Sequence, residues 1–364
     1  MQVSHIKDVG PSILLGKLSW FESNGFTTVI ILAAVSEYHK FEATAHRFKD
    51  MNIQIAGGFF PYISHQDKLH ESGALLIGIC KPVEIAIISA AAPKNVTPKL
   101  ENTPRSALVL MDALSPDSEQ HINILNSILD PDLPIIGMGA GSMDFVHRPI
   151  LLTNEGFLKE GSLLIAMERG LSQSTNHGYK VLAGPFLTTK TEGKTTYELN
   201  YEAAYDVYLN SILGAEGAQD IGEDFYDWAK AYPLGLENYD GSFIIRDAIQ
   251  TDGESFTCVG SIPQNSIIYV MRSDEETLVT STKAAALKVT QDFKEKGLAQ
   301  PELILSIGCI SRQLFLGGDY EKELRATNTI PAKQHAGVLS LGEISNFNAS
   351  NAALLNKTLV MGIF

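Results

Sequence analysis

Apolar and polar positions along the chain follow one order three times. An apolar run at 28–35 leads into a helical pattern at about 38–50, and a second short run at 53–56 ends in Gly57-Gly58. At 107–111 another β-type run begins, and Ser115-Pro116 offers an N-cap with proline at the first helical position. Ile122, Leu125, Ile128 and Leu129 mark one buried helix face, Asp130-Pro131-Asp132 stops that helix, and 133–136 enters Gly137-Met138-Gly139. The third copy lies near the C-terminus. Ser273 and Glu276 have the spacing of a capping box, Lys294 and Lys296 fall in the last turn, and Gly297 serves as C-cap. The chain then returns through Pro301 into an apolar run at 302–307, followed by Gly308-Cys309.

Between these units, β-type runs at 74–79, 84–89, 150–153, 162–167 and 181–187 are joined by short turns, which predicts antiparallel hairpins. The second half opens with a helix at 202–213 and continues with strands at 243–249, 255–259 and 267–271. The last stretch, 336–364, alternates β-type runs with an Asn/Ser-rich loop. The expected fold is therefore α/β, with two mixed-sheet domains at 1–200 and 201–364. Both are built on repeated strand–helix–strand units with added antiparallel hairpins.

Composition narrows the function. A length of 364 residues suits two or three domains, and 45% hydrophobic residues exclude general disorder. The longest apolar stretch, 74–92, is broken by Lys81, Pro82 and Glu84, and the N-terminus has no secretory pattern, so a cytoplasmic protein is expected. The formal net charge of −14 argues against nucleic-acid and anionic-membrane partners. Most of it sits late: 16 basic against 20 acidic residues up to Asn200, and 12 against 22 from Tyr201 onward. Three scattered cysteines, Cys80, Cys258 and Cys309, form neither a disulfide framework nor a metal knuckle. The histidines show no ligand spacing either, so neither metal nor cofactor is expected.

Several residues stand out against this background. The glycines of Gly137-Met-Gly-Ala-Gly-Ser142 follow a strand, but no helix begins after them, so a dinucleotide fingerprint lacks its context. Gly137 and Gly139 suit either a crossing of small residues or the floor of a ligand pocket. Cys309 ends an apolar strand, where α/β sheets often bind ligands, and it precedes Ser311 and Arg312. A reactive Cys309 needs a histidine, with His335 and His177 as candidates; the alternative is an inert buried thiol. Arg246 within FIIRDAI and Glu343 within LSLGEIS either point to solvent or, with Arg312, bind the two ends of a zwitterion such as an amino acid.

The order Pro233-Leu234-Gly235, Arg246, Cys309-x-x-Arg312, Gly342-Glu343-Ile344 and Asn356-x-Thr358 resembles the C-terminal half of the FIST (F-box and intracellular signal transduction) proteins. The two units ending in Ala-Gly-Gly and Gly-Met-Gly-Ala-Gly resemble their N-terminal half. This resemblance implies a sensory module binding a small molecule, an amino acid or similar metabolite, with Arg246, Cys309, Arg312, Gly342, Glu343, Asn356 and Thr358 at characteristic positions. Ser311 stands where the family usually has glycine, and Phe59-Phe60 where it has small residues, which points to a reshaped pocket. With no room for an F-box or kinase module, a stand-alone protein with a separate signalling partner is expected. Two other readings compete: a cysteine-dependent hydrolase or transferase using Cys309, and a protein-interaction scaffold.

Overall fold

The computed structural model describes residues 1–89, 100–222, 224–298, 300–327, 329–330, 332–346 and 351–364. Its framework is three parallel strand pairs: Thr28–Ala34 with Gln54–Phe60, Ser106–Asp112 with Ile135–Ala140, and Leu303–Cys309 with Gln334–Ser340. Every residue of Thr28–Ala34 and Ser106–Asp112 is buried, which is why these strands read as continuous apolar runs rather than alternating ones.

The same neighbours surround each pair. An antiparallel strand flanks its first member (Ala74–Ile79, Ser162–Met167 and Leu359–Ile363 in turn), and an edge strand lies beyond (Gln2–Ile6, Val83–Ile88 and Ser172–Asn176). The other side of each pair is completed by a hairpin from a different unit. Leu151–Thr153 with Gly156–Leu158, from the second unit, joins Gln54–Phe60 of the first. Glu343–Ser345 with Ala353–Leu355, from the third, joins Ile135–Ala140 of the second. Tyr62–His65 with Lys68–His70, from the first, joins Gln334–Ser340 of the third. Three six-stranded sheets of equivalent strand order result, closed in a ring by hairpin exchange. The architecture is α/β with mixed sheets and added antiparallel hairpins, and two of these three six-stranded sheets take strands from both 1–200 and 201–364.

The second strands of the three pairs touch one another at the centre of this ring. Each carries a glycine at the same register: Gly57 opposite Ile31, Gly137 opposite Val109 and Gly337 opposite Ser306. A Cβ on these glycines would lie 2.6 Å from the Ile31 carbonyl oxygen, 2.8 Å from that of Val109 and 2.3 Å from that of Ser306. Gly57 and Gly137, which end the first two strand–helix–strand patterns, are thus packing requirements of their parallel pairs, as is Gly337. The third pattern differs from expectation, because its Gly308 lies in Leu303–Cys309, the first strand of its pair.

Between Ser172–Asn176 and the third pair, the chain inserts an antiparallel sheet built from 180–272, with the helices Ala204–Glu216 and Phe225–Ala229. Leu199, Tyr208, Ile212, Trp228 and Phe256 form its separate core. The helix Glu275–Glu295 then leads back to the ring, burying Leu278, Thr282, Ala285, Val289 and Phe293 along one face. Its cap is Asp274, whose carboxylate accepts the Thr277 N–H at 2.7 Å. The expected cap, Ser273, instead donates to the Gly178 carbonyl, so the N-cap is displaced by one residue. The helix expected at 38–50 is only Tyr38–Glu42 flanked by 3₁₀ turns, because Phe41 and Phe48 must both reach the core over a short span. Pro11–Ser23 is a helix that the sequence reading passed over, although Pro11 at its start and Leu14, Leu18 and Phe21 carry the signal. The Asn/Ser-rich loop expected near the C-terminus lies at 347–350, outside the described residues.

Substituting Gly337→Ala or Gly137→Ala is expected to destabilise the protein by about 1–3 kcal/mol through overpacking. Gly16→Ala, in the interior of the first helix with nothing within 4 Å of its Cβ, is expected to stabilise by about 0.5–1 kcal/mol. Urea unfolding of the three variants checks both signs.

Candidate functional site

Ligands of α/β sheets collect beyond the carboxyl ends of parallel strands. Here a cavity of about 690 Å³ occupies that position for two of the three pairs. Ala113 and Leu114 follow Ser106–Asp112, Met143 and Phe145 follow Ile135–Ala140, Cys309 ends the third pair's first strand, and Leu341 follows its second. The inserted sheet supplies the opposite wall with Lys194, Ile249, Gln250, Thr257, Cys258 and Val259. Ser311 and Leu314, on the short helix Ile310–Leu316, and Asn356 complete it.

Beneath this cavity lies a layer of charges with no access to water. Lys357 and Asp247 are both fully buried, with the Lys357 Nζ 3.1 Å from Asp247 Oδ1. The same ammonium donates to the Lys230 carbonyl at 3.0 Å. Burial is the largest single influence and lowers the Lys357 pKa, but Asp247, joined by Tyr179, Tyr226 and Cys309, raises it above the ordinary lysine value. The other Asp247 oxygen accepts from the Ser311 hydroxyl at 2.6 Å. Tyr226 also lines the cavity, and its phenol pKa is pushed up to about 12 by burial and then by Asp247. Asp247 reaches this position because the strand expected at 243–249 breaks there into Phe243–Arg246 and Ala248–Thr251. Lys357 turns into it with φ +52°, a backbone region that non-glycine residues seldom enter.

The two arginines are buried as well, so neither points to solvent. Arg312 donates through Nε to Glu323 at 2.8 Å and through Nη1 to the carbonyls of His177 at 2.7 Å and Lys357 at 3.1 Å. Arg246 donates to the carbonyls of Ser261 at 2.9 Å and Leu354 at 3.0 Å. Glu343 is also fully buried; it accepts from the Ser340 hydroxyl at 2.8 Å and the Thr358 N–H at 3.2 Å. Burial is the largest cause raising its pKa to about 8. Gly139 N–H donates to the Gly342 carbonyl at 2.8 Å, linking Ile135–Ala140 to the turn that carries Glu343.

Of the expected site residues, Cys309 and Asn356 line the cavity. Arg246, Arg312 and Glu343 lie outside its lining with their hydrogen bonds directed into the protein, and Gly137 and Gly139 pack against neighbouring strands. Ser311, at the position of the unusual serine, contributes both to the wall and to the charged layer. Phe59 and Phe60 belong to the main core instead. The sequence reading missed Asp247 beside Arg246, and Lys357 between Asn356 and Thr358.

The Cys309 thiol pKa is raised, first by burial and then by Glu343 and Asp247, the reverse of the setting that makes a nucleophilic thiolate. Of the two candidate bases, His335 sits opposite Ile304, five residues down the strand from Cys309. His177 turns its Nδ1 to the Tyr179 N–H. Elsewhere the fold gathers His5, His65 and His70, with ring centroids 5.1 Å and 4.4 Å from His5. Among the described residues no group of three or more His, Cys, Asp or Glu is arranged to hold a metal ion. No helix among them is long and apolar enough to cross a membrane.

Two stability measurements test the buried layer. Glu323→Gln leaves the Arg312 guanidinium buried without its counter-charge and is expected to cost about 3–5 kcal/mol in urea unfolding. The second concerns pH. Because Glu343 titrates higher in the folded protein than in the unfolded chain, the folded state holds an extra proton between the ordinary carboxyl pKa and about 8. The contribution of this group is therefore complete at acid pH and is lost as pH rises to about 8. Glu343→Gln is expected to flatten that part of the melting-temperature profile.

Comparison with known protein families finds two matches. The FIST N domain matches residues 28–202 and the FIST C domain matches residues 204–346. No curated protein matches the chain. FIST domains are sensory signal-transduction domains. Matched over most of its length, the chain belongs to the FIST family.

Proposed function

We propose that this protein is a cytoplasmic small-molecule sensor whose ligand occupies the cavity between Cys309, Asn356 and Lys194. The observation that carries the proposal is the cavity itself. Its volume of about 690 Å³ falls in the range of small-ligand sites, and it combines apolar walls with a few polar groups. In this reading Cys309, Ser311, Tyr226 and Asn356 meet the ligand. Arg246, Arg312, Glu343, Gly137 and Gly139 hold the strands and turns that position them. The division at 200/201 becomes a division of labour: 1–200 supplies much of the ring, and 201–364 most of the cavity wall.

Ligand binding would act by favouring one arrangement of the inserted sheet and Ile310–Leu316 relative to the ring, which requires a ligand that binds the two arrangements unequally. A separate signalling protein would read the difference; neither nucleic acid nor membrane enters this proposal. The protonated setting of Cys309 favours binding over nucleophilic catalysis.

A thermal-shift screen of metabolites, amino acids included, tests the reading. At least one compound is expected to raise the melting temperature. Leu314→Trp, at a partly exposed wall position, is expected to abolish that response while leaving the circular dichroism spectrum unchanged. A response that survives the filled cavity would contradict the assignment.

A further inference from the structure

The class of ligand follows from what the cavity offers and what it withholds; this inference rests on the sensor reading above. Leu114, Met143, Phe145, Ile249, Val259 and Leu314 give the cavity a largely apolar wall. Part of that wall faces water: Met143 is 39% and Phe145 54% exposed, and Phe145 is held at φ +52°. The turn after Ile135–Ala140 thus presents apolar side chains, one on a strained backbone, to the mouth of an open cavity. An apolar ligand body would cover them and remove that area from water.

The polar groups are few and lopsided. Lys194 lines the cavity from the turn between Lys180–Glu192 and Thr195–Leu199 and makes no ion pair among the described residues. The carboxylate whose field reaches it, Glu119, is already held by the N–H and hydroxyl of Ser261, each at 2.6 Å. At the other end, Asn356 Oδ1 is buried without a hydrogen-bond partner among the described residues. No carboxylate lines the cavity. Asp247 and Glu343 lie below it, committed to Lys357 and Ser311, and to Ser340 and Thr358. A small zwitterion would therefore find a counter-charge for its carboxylate but only a neutral acceptor, Asn356 Oδ1, for its ammonium, and would leave most of the volume unfilled.

We propose that the cavity takes an amphipathic carboxylate. Its acid group sits on Lys194, its apolar body runs along Leu114, Met143, Phe145 and Leu314, and any hydrogen-bond donor it carries is received by Asn356. The expectation that Arg246, Arg312 and Glu343 grip an amino acid is replaced by recognition of one negative charge on an apolar body.

Isothermal titration of the full chain near neutral pH tests this with four probes: decanoate below its micelle concentration, decanol, leucine and phenylalanine. Decanoate is expected to bind about tenfold or more tightly than decanol, the margin of one charge-assisted hydrogen bond. Lys194→Met should erase that margin while leaving decanol binding intact, and Lys194→Arg should restore it. Tighter binding of leucine or phenylalanine than of decanoate, no binding of decanoate, or a margin that survives Lys194→Met would each overturn the inference. If decanoate fails but a screened metabolite binds and Leu314→Trp blocks it, the sensor reading stands without this ligand class. If nothing binds in the cavity, both fall.

Discussion

Lys357 and Asp247 carry opposite charges, neither reaches water, and each comes from a different part of the fold. Asp247 lies in the inserted sheet, and Lys357 lies between the last hairpin and the last strand of the ring. Leaving either alone would expose the fold to the full cost of an unpaired buried charge, so the pair fixes how insert and ring meet. Ser311 extends the tie to Ile310–Leu316, and Arg312 continues it through the Lys357 carbonyl to Glu323. The cavity is the space left above this layer. Its polar floor is the upper surface of a network whose lower members hold the structure together.

The ring below obeys a simpler constraint. Three second strands meet at one centre, and a side chain at Gly57, Gly137 or Gly337 would strike a neighbouring carbonyl. The hairpin exchange adds a second constraint, since no unit can complete its own sheet. Each strand–helix–strand unit folds against the hairpin of another, which ties the first and last parts of the chain into one hydrogen-bonded structure. Two carboxyl ends of that ring, those of the second and third units, face the insert. There the insert closes off a ligand-sized space.

The periodicity of the sequence made much of this legible. Apolar runs at 28–35 and 107–111 marked strands buried on both faces, and the terminal glycines marked the second strand of the first two pairs. In the third unit the glycine after the apolar run, Gly308, belongs to the first strand. The sequence could not show that the strands carrying these glycines meet, because hairpin exchange brings together segments about 275 residues apart, as with Ile63 and Val338. For the same reason the glycines read as a possible pocket floor. The charged residues were harder. Arg246 and Glu343 sit at positions where a strand normally turns a charge to solvent, and only tertiary partners reveal their burial. Asp247 left no local trace, since nothing in FIIRDAI announces a strand break. Lys357 was hidden as the unspecified residue of a short motif, and its left-handed backbone breaks the usual rule for lysine. Cys309 was legible as the end of an apolar strand, and Asn356 only through the family resemblance.

If the sensor reading is right, the space above the Lys357–Asp247 pair holds a small molecule. The most direct measurement is a crystal structure of the full chain with the strongest stabiliser found by thermal shift. Ligand density is expected between Cys309, Asn356 and Lys194, with the apolar part of the molecule against Leu114 and Phe145. Ligand density elsewhere on the protein, with this cavity holding only water, would contradict that reading.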